Sequence, residues 1–334
     1  MSIAEKIIAW QKKHGRHGLP WQHNITPYRV WVSEIMLQQT QVTTVIPYYQ
    51  RFMSRFPSLI SLANASEDVV IEHWAGLGYY RRARYLHLCS QVVRDQHNGD
   101  FPSNADELIA LPGIGKSTAH AILSISHNMP YAILDGNVKR VLARYHNISD
   151  VLTGVETMRN LWKIAQTAMS QTECRTYTQG IMDLGANICK RQPLCDLCPL
   201  QSGCKAYKYN TQGNIPNKPR KKLKRTETCY FRCYMNSNRL WMEQRPSSGI
   251  WPKLWSPPYC TTKPCEKTRH IALASFRHTF THFHMLVHPI IIHTVDPRRN
   301  TGGAWFALDQ AERMGIPAAV KKIIKSIQHE TKVS

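Results

Sequence analysis

Apolar positions recur at three- and four-residue spacing over the first two-thirds of the chain, the period of helices with one buried side. Ile3, Ile7 and Trp10 mark the first such helix, with Ser2 and Glu5 spaced as a capping box. Thr26 then reads as an N-cap with Pro27 at the first helical position. Tyr28, Val30, Trp31, Val32, Ile35 and Met36 make the helix that follows apolar nearly all round, so it is expected to be buried. Helical spacing continues through Tyr48 to Arg55 and Glu67 to Trp74. A short amphipathic helix comes next, with Ser103 and Asp106 read as its capping box and Leu108, Ile109 and Leu111 as its buried side. After Leu111-Pro112-Gly113-Ile114-Gly115 a further helix runs through Ala119, Ala121, Ile122, Leu123 and Ile125. From Val138 the pattern stays helical (Val141, Leu142, Tyr145, then Leu161, Ile164, Ala168), and no period-2 run appears before residue 205.

The texture changes at Asn214. Residues 214–226 form a basic, proline-stiffened connector. Beyond it Cys229, Phe231, Cys233 and Met235 alternate with polar neighbours, and Asn236-Ser237-Asn238 turns the chain into Leu240-Trp241-Met242. His278, His282, His284 and His288 are placed in one further β-like run ending in Pro289 and three isoleucines, and Ala318 to Ile327 is a closing helix. The division predicted is a mainly α domain over 1–213, a linker over 214–226, and a smaller α+β domain over 227–334.

Charge narrows the partners. Forty-three Lys and Arg oppose 22 Asp and Glu, a net charge of +21, which suits a polyanion. No stretch approaches the ~20 apolar residues of a membrane span. The N-terminus reads as an amphipathic helix rather than a signal peptide, so a soluble, cytoplasmic protein is expected. Ten cysteines in such a chain do not suggest disulfides. Cys189, Cys195, Cys198 and Cys204 cluster, separated by five, two and five residues. Zinc is one reading of four thiolates, but zinc sites usually pair their cysteines more widely, and the compact spacing fits a [4Fe–4S] cluster better. Cys229 and Cys233 with Cys260 and Cys265 imitate a second metal site; their place on one apolar strand face makes them core residues instead.

The glycine turn at 111–115 carries the chemistry most open to misreading. Gly115-Lys116-Ser117 imitates the end of a phosphate-binding loop, but Ala110 stands where an earlier glycine is required. Gly113 and Gly115 also imitate a dinucleotide fingerprint, which needs a strand before it and a small residue where Thr118 stands. A helix precedes the turn, leaving a helix-hairpin-helix that offers backbone N–H groups to a nucleic-acid phosphate. Glu34 has two readings. It is an acid in a helix favoured by the dipole, or a carboxylate desolvated among Val30, Trp31 and Ile35 with its pKa raised toward that of a general acid. Gln38, Gln39 and Gln41 form a polar patch after it. Gly76 through Arg84 joins two glycines, Tyr79, Tyr80 and three arginines, read either as a turn suited to bases and phosphates or as a helix start with a basic face.

Taken together these motifs resemble the helix-hairpin-helix DNA glycosylases of the endonuclease III superfamily, and within it the MutY-type adenine glycosylases. The carriers are Leu19-Pro20-Trp21, Trp31 through Val42, Gly76 through Arg84, the hairpin at 111–115, Leu134 through Arg140, the four cysteines, and Phe276 through His282. The resemblance implies a helix-hairpin-helix glycosylase domain with a [4Fe–4S] cluster loop at 189–204, plus a Nudix-like domain. It implies removal of adenine mispaired with 8-oxoguanine or guanine in double-stranded DNA, by a monomer near the nucleoid. By motif, Glu34 protonates the adenine and Asp135 stabilises the positive sugar. Gln39, Leu77 and Tyr79 wedge around the oxidised guanine. Leu111, Gly113, Gly115 and Lys139 contact DNA, Trp21 and Gln179 line the adenine pocket, and Phe280, Thr281 and His282 recognise 8-oxoguanine. Bifunctional relatives carry a lysine nucleophile where Ser117 stands; Lys116 is adjacent but turned by about 100° on a helix, so no efficient strand cleavage is expected. The acids Glu227, Glu243, Glu266, Asp296, Asp309 and Glu312 are scattered, which argues against nucleotide hydrolysis. Three departures stand out: a first cysteine interval one residue short, Thr281 for the usual serine, and Pro252 and Lys253 in place of paired glycines. The C-terminal domain is also short before residue 271. A bifunctional lyase of the same superfamily and a non-catalytic DNA-binding protein are the rival readings.

Overall fold

The computed structural model describes residues 1–217, 223–262, 270–294 and 302–333. Connector residues 218–222, together with Cys265, Glu266 and Asp296, lie outside the described residues. The chain divides into two compact units. One comprises Met1–Ala65 and Tyr85–Arg220, the other Ser66–Arg84 and Lys221–Ser334.

Helices α1 (Ile3–His14), α2 (Pro27–Leu37), α3 (Val42–Arg55), α4 (Leu59–Ala63), α5 (Glu67–Trp74) and α6 (Arg81–Gln96) open the chain. Then come α7 (Ala105–Ala110), α8 (Lys116–Ser126), α9 (Gly136–His146), α10 (Val155–Ala168), α11 (Cys174–Asp183) and the short α12 (Lys205–Lys208). Both expected caps at the start are present: Ser2 and Glu5 close a reciprocal box, and the Thr26 hydroxyl accepts from the Arg29 N–H. The cap of α7 is a correction. It is Asn104, whose side chain accepts from the Asp106 N–H at 2.8 Å, and not Ser103. Both residue types cap well, and the amide one position on reaches the free N–H.

The centre of the first unit is α2. Tyr28, Val30, Trp31, Val32, Ser33, Ile35 and Met36 are all buried along it. Each large apolar side chain so enclosed contributes about 1.5–3 kcal/mol, so the helix is held by packing on every side. It packs against α3 and α8. That contact gives the hairpin helix and Glu34 a common wall.

In the second unit β1 (Arg225–Asn236), β2 (Arg239–Gln244), β3 (Trp255–Ser256), β4 (Tyr259–Cys260), β5 (Ile271–Ala272), β6 (Phe276–Thr279), β7 (Phe283–His293) and β8 (Gly303–Ala307) make one mixed sheet. Its core path runs β3-β2-β1-β7-β5, with β1 and β7 parallel from Arg225↔Phe283 to Met235↔His293. Alternation in β1 buries Cys229, Phe231, Cys233 and Met235 with residues of α13 (Leu308–Arg313) and α14 (Ala318–Val333). These cysteines are core residues. The single histidine-rich run expected over 278–292 is instead a hairpin of β6 and β7, turning at Phe280–His282. His284 and His288 face the hydroxyls of Thr279 (3.0 Å) and Ser275 (2.6 Å) across it.

Candidate active site and nucleic-acid interface

Glu34 and Asp135 come together in the first unit by different routes. Glu34 projects from the third turn of the buried α2. Asp135 is the N-cap of α9, and its carboxylate accepts from the Val138 N–H at 2.8 Å. Both side chains keep partial solvent access. Burial first, and then the negative charge of Asp135, push the Glu34 carboxyl up to about 7. Burial also raises Asp135, but the N–H groups of Val138 and Asn137 and the charges of Arg140 and Lys139 oppose it. The pair therefore sets a carboxyl raised to about 7 beside one that burial also raises, while helix N–H groups and two cations favour its charged form.

The hairpin places its glycines as the anion-binding reading requires. Leu111 and Ile114 are buried at 4% exposure each, while Gly113 and Gly115 beside Ile114 are exposed. Gly113 has φ +77°, and a Cβ there would lie 2.6 Å from the Tyr85 side chain. Gly115 is the N-cap of α8 and has open space before it. Ser117 does not point free: its hydroxyl accepts from the Leu134 N–H at 3.1 Å, next to Asp135. The Lys116 ammonium lies over the Trp162 ring, 4.5 Å from its centre. The one lysine beside the hairpin is thus turned onto α10. Lys139, in the first turns of α9, contributes its charge to Asp135.

Trp21 is buried in a short 3₁₀ turn and meets Tyr49 edge to face at 5.4 Å. The same turn carries Gln22, whose amide donates to the Arg16 carbonyl (2.7 Å) and to Gln179 Oε1 (3.3 Å). The sequence reading missed what anchors this turn. Asp183, 1% exposed and one helical turn beyond Gln179, accepts from the Arg16 backbone N–H at 2.8 Å and from Arg16 Nε at 2.7 Å. An acid buried so completely requires such partners, and nothing local in the sequence marks it.

After α11 the chain makes one π-turn, Leu184–Ile188, that delivers Cys189. Cys189, Cys195, Cys198 and Cys204 then line one cavity together with Arg144 and Tyr207. Burial pushes the Cys198 thiol up to about 11, and the other three thiols add to it. Arg144, itself buried, donates to Cys189 Sγ (3.4 Å) and to the carbonyls of Lys190 (2.6 Å) and Arg191 (3.2 Å). Arg140, one turn earlier on α9, donates to the Cys189 carbonyl at 2.7 Å and to Gly185 O at 2.7 Å. The helix capped by Asp135 therefore also holds the cysteine loop. Four thiols that raise one another's pKa in one cavity suit a cationic centre that deprotonates them. Among the described residues no three His, Cys, Asp or Glu side chains converge as a single metal ion requires.

In the second unit Leu77 is buried and Tyr79 is 50% exposed at φ +50°. Gln39, in the first unit, is likewise exposed at positive φ (+56°). Phe280 stacks on Phe283 at 4.5 Å, leaving Thr281 and His282 exposed at the hairpin tip. The Phe280 carbonyl accepts from Lys224 Nζ at 2.8 Å. No helix among the described residues is long and apolar enough to cross a membrane.

Residues 32–167 match the family described as HhH-GPD superfamily base excision DNA repair protein, and residues 229–326 match a NUDIX domain. The adenine DNA glycosylase of Buchnera aphidicola subsp. Baizongia pistaciae is 39% identical, over 97% of this chain and 96% of that protein. The chain belongs to the adenine DNA glycosylases. The mouse adenine DNA glycosylase is 34% identical over 81% of this chain and 63% of its own length. Among solved structures, a thermostable thymine-DNA glycosylase superposes with a TM-score of 0.57 at 27% identity, covering 62% of this chain and 95% of that one. An endonuclease III solved with DNA gives 0.53 at 20% identity, over 63% of this chain and 95% of that one, and so shares the fold of the helical part. Family membership thus spans both parts of the molecule.

Proposed function

We propose that this protein excises adenine paired with 8-oxoguanine or guanine from double-stranded DNA, hydrolysing the N-glycosidic bond without cutting the strand. The observation that carries the reading is the carboxyl pair: Glu34 raised to about 7 beside Asp135, whose carboxylate caps α9 through the Val138 N–H. A base buried in a duplex must be flipped out before either carboxyl can reach it. Glu34 then gives its proton to N7 of the adenine, so the bond to the sugar breaks with its electron pair leaving on a neutral base. Asp135 offsets the positive charge that develops on the sugar, and water adds at the anomeric carbon, its proton returning to the Glu34 carboxylate. Trp21 and Gln179 bound the adenine. The N–H groups at Gly113 and Gly115, with Leu111 packed beneath them, hold a phosphate, and Lys139 adds positive charge nearby. Gln39, Leu77 and Tyr79 act in the base stack, and Phe280, Thr281 and His282 read the opposite base.

Ser117 and the parked Lys116 support hydrolysis over lyase chemistry. Cys189, Cys195, Cys198 and Cys204 would hold a [4Fe–4S] cluster, which supplies a structural tie for the loop rather than a reacting group. Residues 1–213 act as the glycosylase domain, 214–226 as connector and 227–334 as the reader of the opposite base.

Single-turnover reactions on a duplex with adenine opposite 8-oxoguanine test this, analysed with and without alkali. Breaks appearing only after alkali are expected. Breaks without alkali would point to an amine nucleophile and overturn the monofunctional assignment; none in either lane would leave a DNA-binding role. The cluster is tested separately by metal content, with iron and broad absorption near ~400 nm expected and stoichiometric zinc opposing it.

A further inference from the structure

The residues from Ser66 to Arg84 belong with the sheet in the second unit, and three ties join them to it. Glu67 is the hub of the first. Its Oε1 accepts from Arg84 Nε at 2.9 Å and its Oε2 from Lys253 Nζ at 3.0 Å. A second nitrogen of Arg84 donates to the Pro252 carbonyl. Pro252 and Lys253, the residues that stand where the resembled family has paired glycines, thus both take part. The Tyr80 hydroxyl makes the second tie, donating to the Ile316 carbonyl at 2.7 Å while accepting from the Gly76 N–H at 3.2 Å. Close packing makes the third: a Cβ on Gly315 would lie 2.5 Å from the Ile71 side chain.

Lys253 accepts an unfavourable backbone to take its place. Its φ is +54° and that of Trp251 is +52°, in the left-handed region that favours glycine. The Lys253 N–H is held by the carbonyls of Arg245 (3.0 Å) and Pro246 (3.1 Å). Strain of this kind persists where the surroundings over-determine it. Burial opposes the charge on Glu67, yet Lys253 and Arg84 outweigh it and hold the carboxyl below its ordinary value.

Between Glu67 on α5 and Arg84 on α6 lies the turn bearing Leu77 and Tyr79. It is firm in itself: Trp74 Nε1 donates to Gly78 O at 3.0 Å, and the Arg82 guanidinium covers the Tyr79 ring at 5.2 Å. Glu67 precedes that turn and Arg84 follows it, so one carboxylate and Lys253 fix both of its flanks. We propose that Glu67, Arg84 and Lys253 form a positioning latch that clamps the Leu77–Tyr79 turn to the domain bearing Phe280–His282, and so sets how well the protein separates 8-oxoguanine from guanine opposite adenine. The discrimination rests on the function proposed above; the latch does not.

Partly exposed ion pairs are individually weak, so the effect is a change in ratio and not a collapse. Lys253→Gln removes the charge while keeping the same backbone demand, and Lys253→Arg keeps the charge. Adenine excision is measured under single turnover on duplexes with 8-oxoguanine or guanine opposite, and hydrogen exchange is followed over residues 76–84. In Lys253→Gln the preference for 8-oxoguanine should fall about fivefold and exchange over 76–84 should rise; Lys253→Arg should restore both. Glu67→Gln should match Lys253→Gln, and added salt should move the unmodified protein the same way. A ratio unchanged in Lys253→Gln, or equal losses on both duplexes, would overturn the positioning role. Unchanged exchange would overturn the latch itself. An unmodified protein that excises no adenine would sink the functional reading, while exchange would still decide whether the latch exists.

Discussion

Glu34 and Asp135 lie on or at the end of helices packed among apolar walls, whereas Thr281 and His282 stand exposed at the tip of a two-strand hairpin. The first pair has its chemistry set before any DNA arrives. Burial and the charge of Asp135 raise Glu34, and a helix cap fixes Asp135 in place. The hairpin tip is organised from below, through Phe280 stacked on Phe283, and its polar groups wait for a partner. On the proposed function, chemistry is preorganised in the helical unit, while reading of the opposite base in the sheet unit depends on contact. Changes to the first should alter rate by orders of magnitude, and changes to the second should alter preference by small factors.

The largest effect belongs to Glu34. Glu34→Gln should lower single-turnover excision by about 10²–10⁴-fold, the usual worth of general acid catalysis, while binding to a mispaired duplex persists. Unchanged excision would remove Glu34 from the mechanism. The same variant should stabilise the fold at alkaline pH. A carboxyl raised in the folded state binds its proton more tightly there than in the unfolded chain. Its cost to stability is therefore absent below the unfolded value, grows through the interval, and is complete above about 7. Discounted for partial exposure, that is roughly 2 kcal/mol, seen as a higher Tm for Glu34→Gln at pH 8 that disappears near pH 4.

The pH profile sharpens the same contrast. Excision needs Glu34 protonated, so the rate should fall roughly tenfold per pH unit above about 7. A rate rising with pH through 7 would reverse the acid assignment.

How far this contrast is legible in the sequence depends on range. The buried α2, the glycine hairpin and the four-cysteine loop are local patterns, and each folds where its periodicity or spacing puts it. The cap at Asn104 slipped by one because Ser103 and Asn104 both satisfy the rule. The β6–β7 turn went unread because Phe280-Thr281-His282 contains no glycine, proline or asparagine to mark it. Asp183 gripping Arg16, Arg144 gripping the cysteine loop and Lys253 gripping Glu67 are partners 167, 46 and 186 residues apart. No spacing rule reaches across such intervals, and only the folded chain shows them.

At the hairpin tip the expected change is smaller. Thr281→Ala removes one exposed hydroxyl, and a hydrogen bond of ordinary strength contributes about 1 kcal/mol. Preference for 8-oxoguanine over guanine should fall about fivefold, with excision opposite guanine unchanged. Thr281→Ser should keep the preference, since the hydroxyl remains. A large loss on both duplexes would show that the tip supports the fold rather than reading the base.

Lys116 provides the smallest effect and the sharpest negative test. It stands beside the position where bifunctional relatives keep their nucleophile, and on sequence alone it is the obvious rival to hydrolysis. Its ammonium instead rests over Trp162, whose other neighbour is the buried His120 ring at 5.5 Å. An amine engaged with an aromatic face and never desolvated against the sugar has no reason to attack it. Lys116→Ala should change alkali-dependent excision by less than about twofold, since an exposed cation–π contact is worth ~0.5–1 kcal/mol to the fold and nothing to the step. Borohydride trapping should give no more covalent protein–DNA product with Lys116 present than without it. A trapped product that disappears in Lys116→Ala would mean the side chain leaves Trp162 and reaches the sugar once DNA is bound, and the division between set chemistry and contact-dependent recognition would fail at the hairpin.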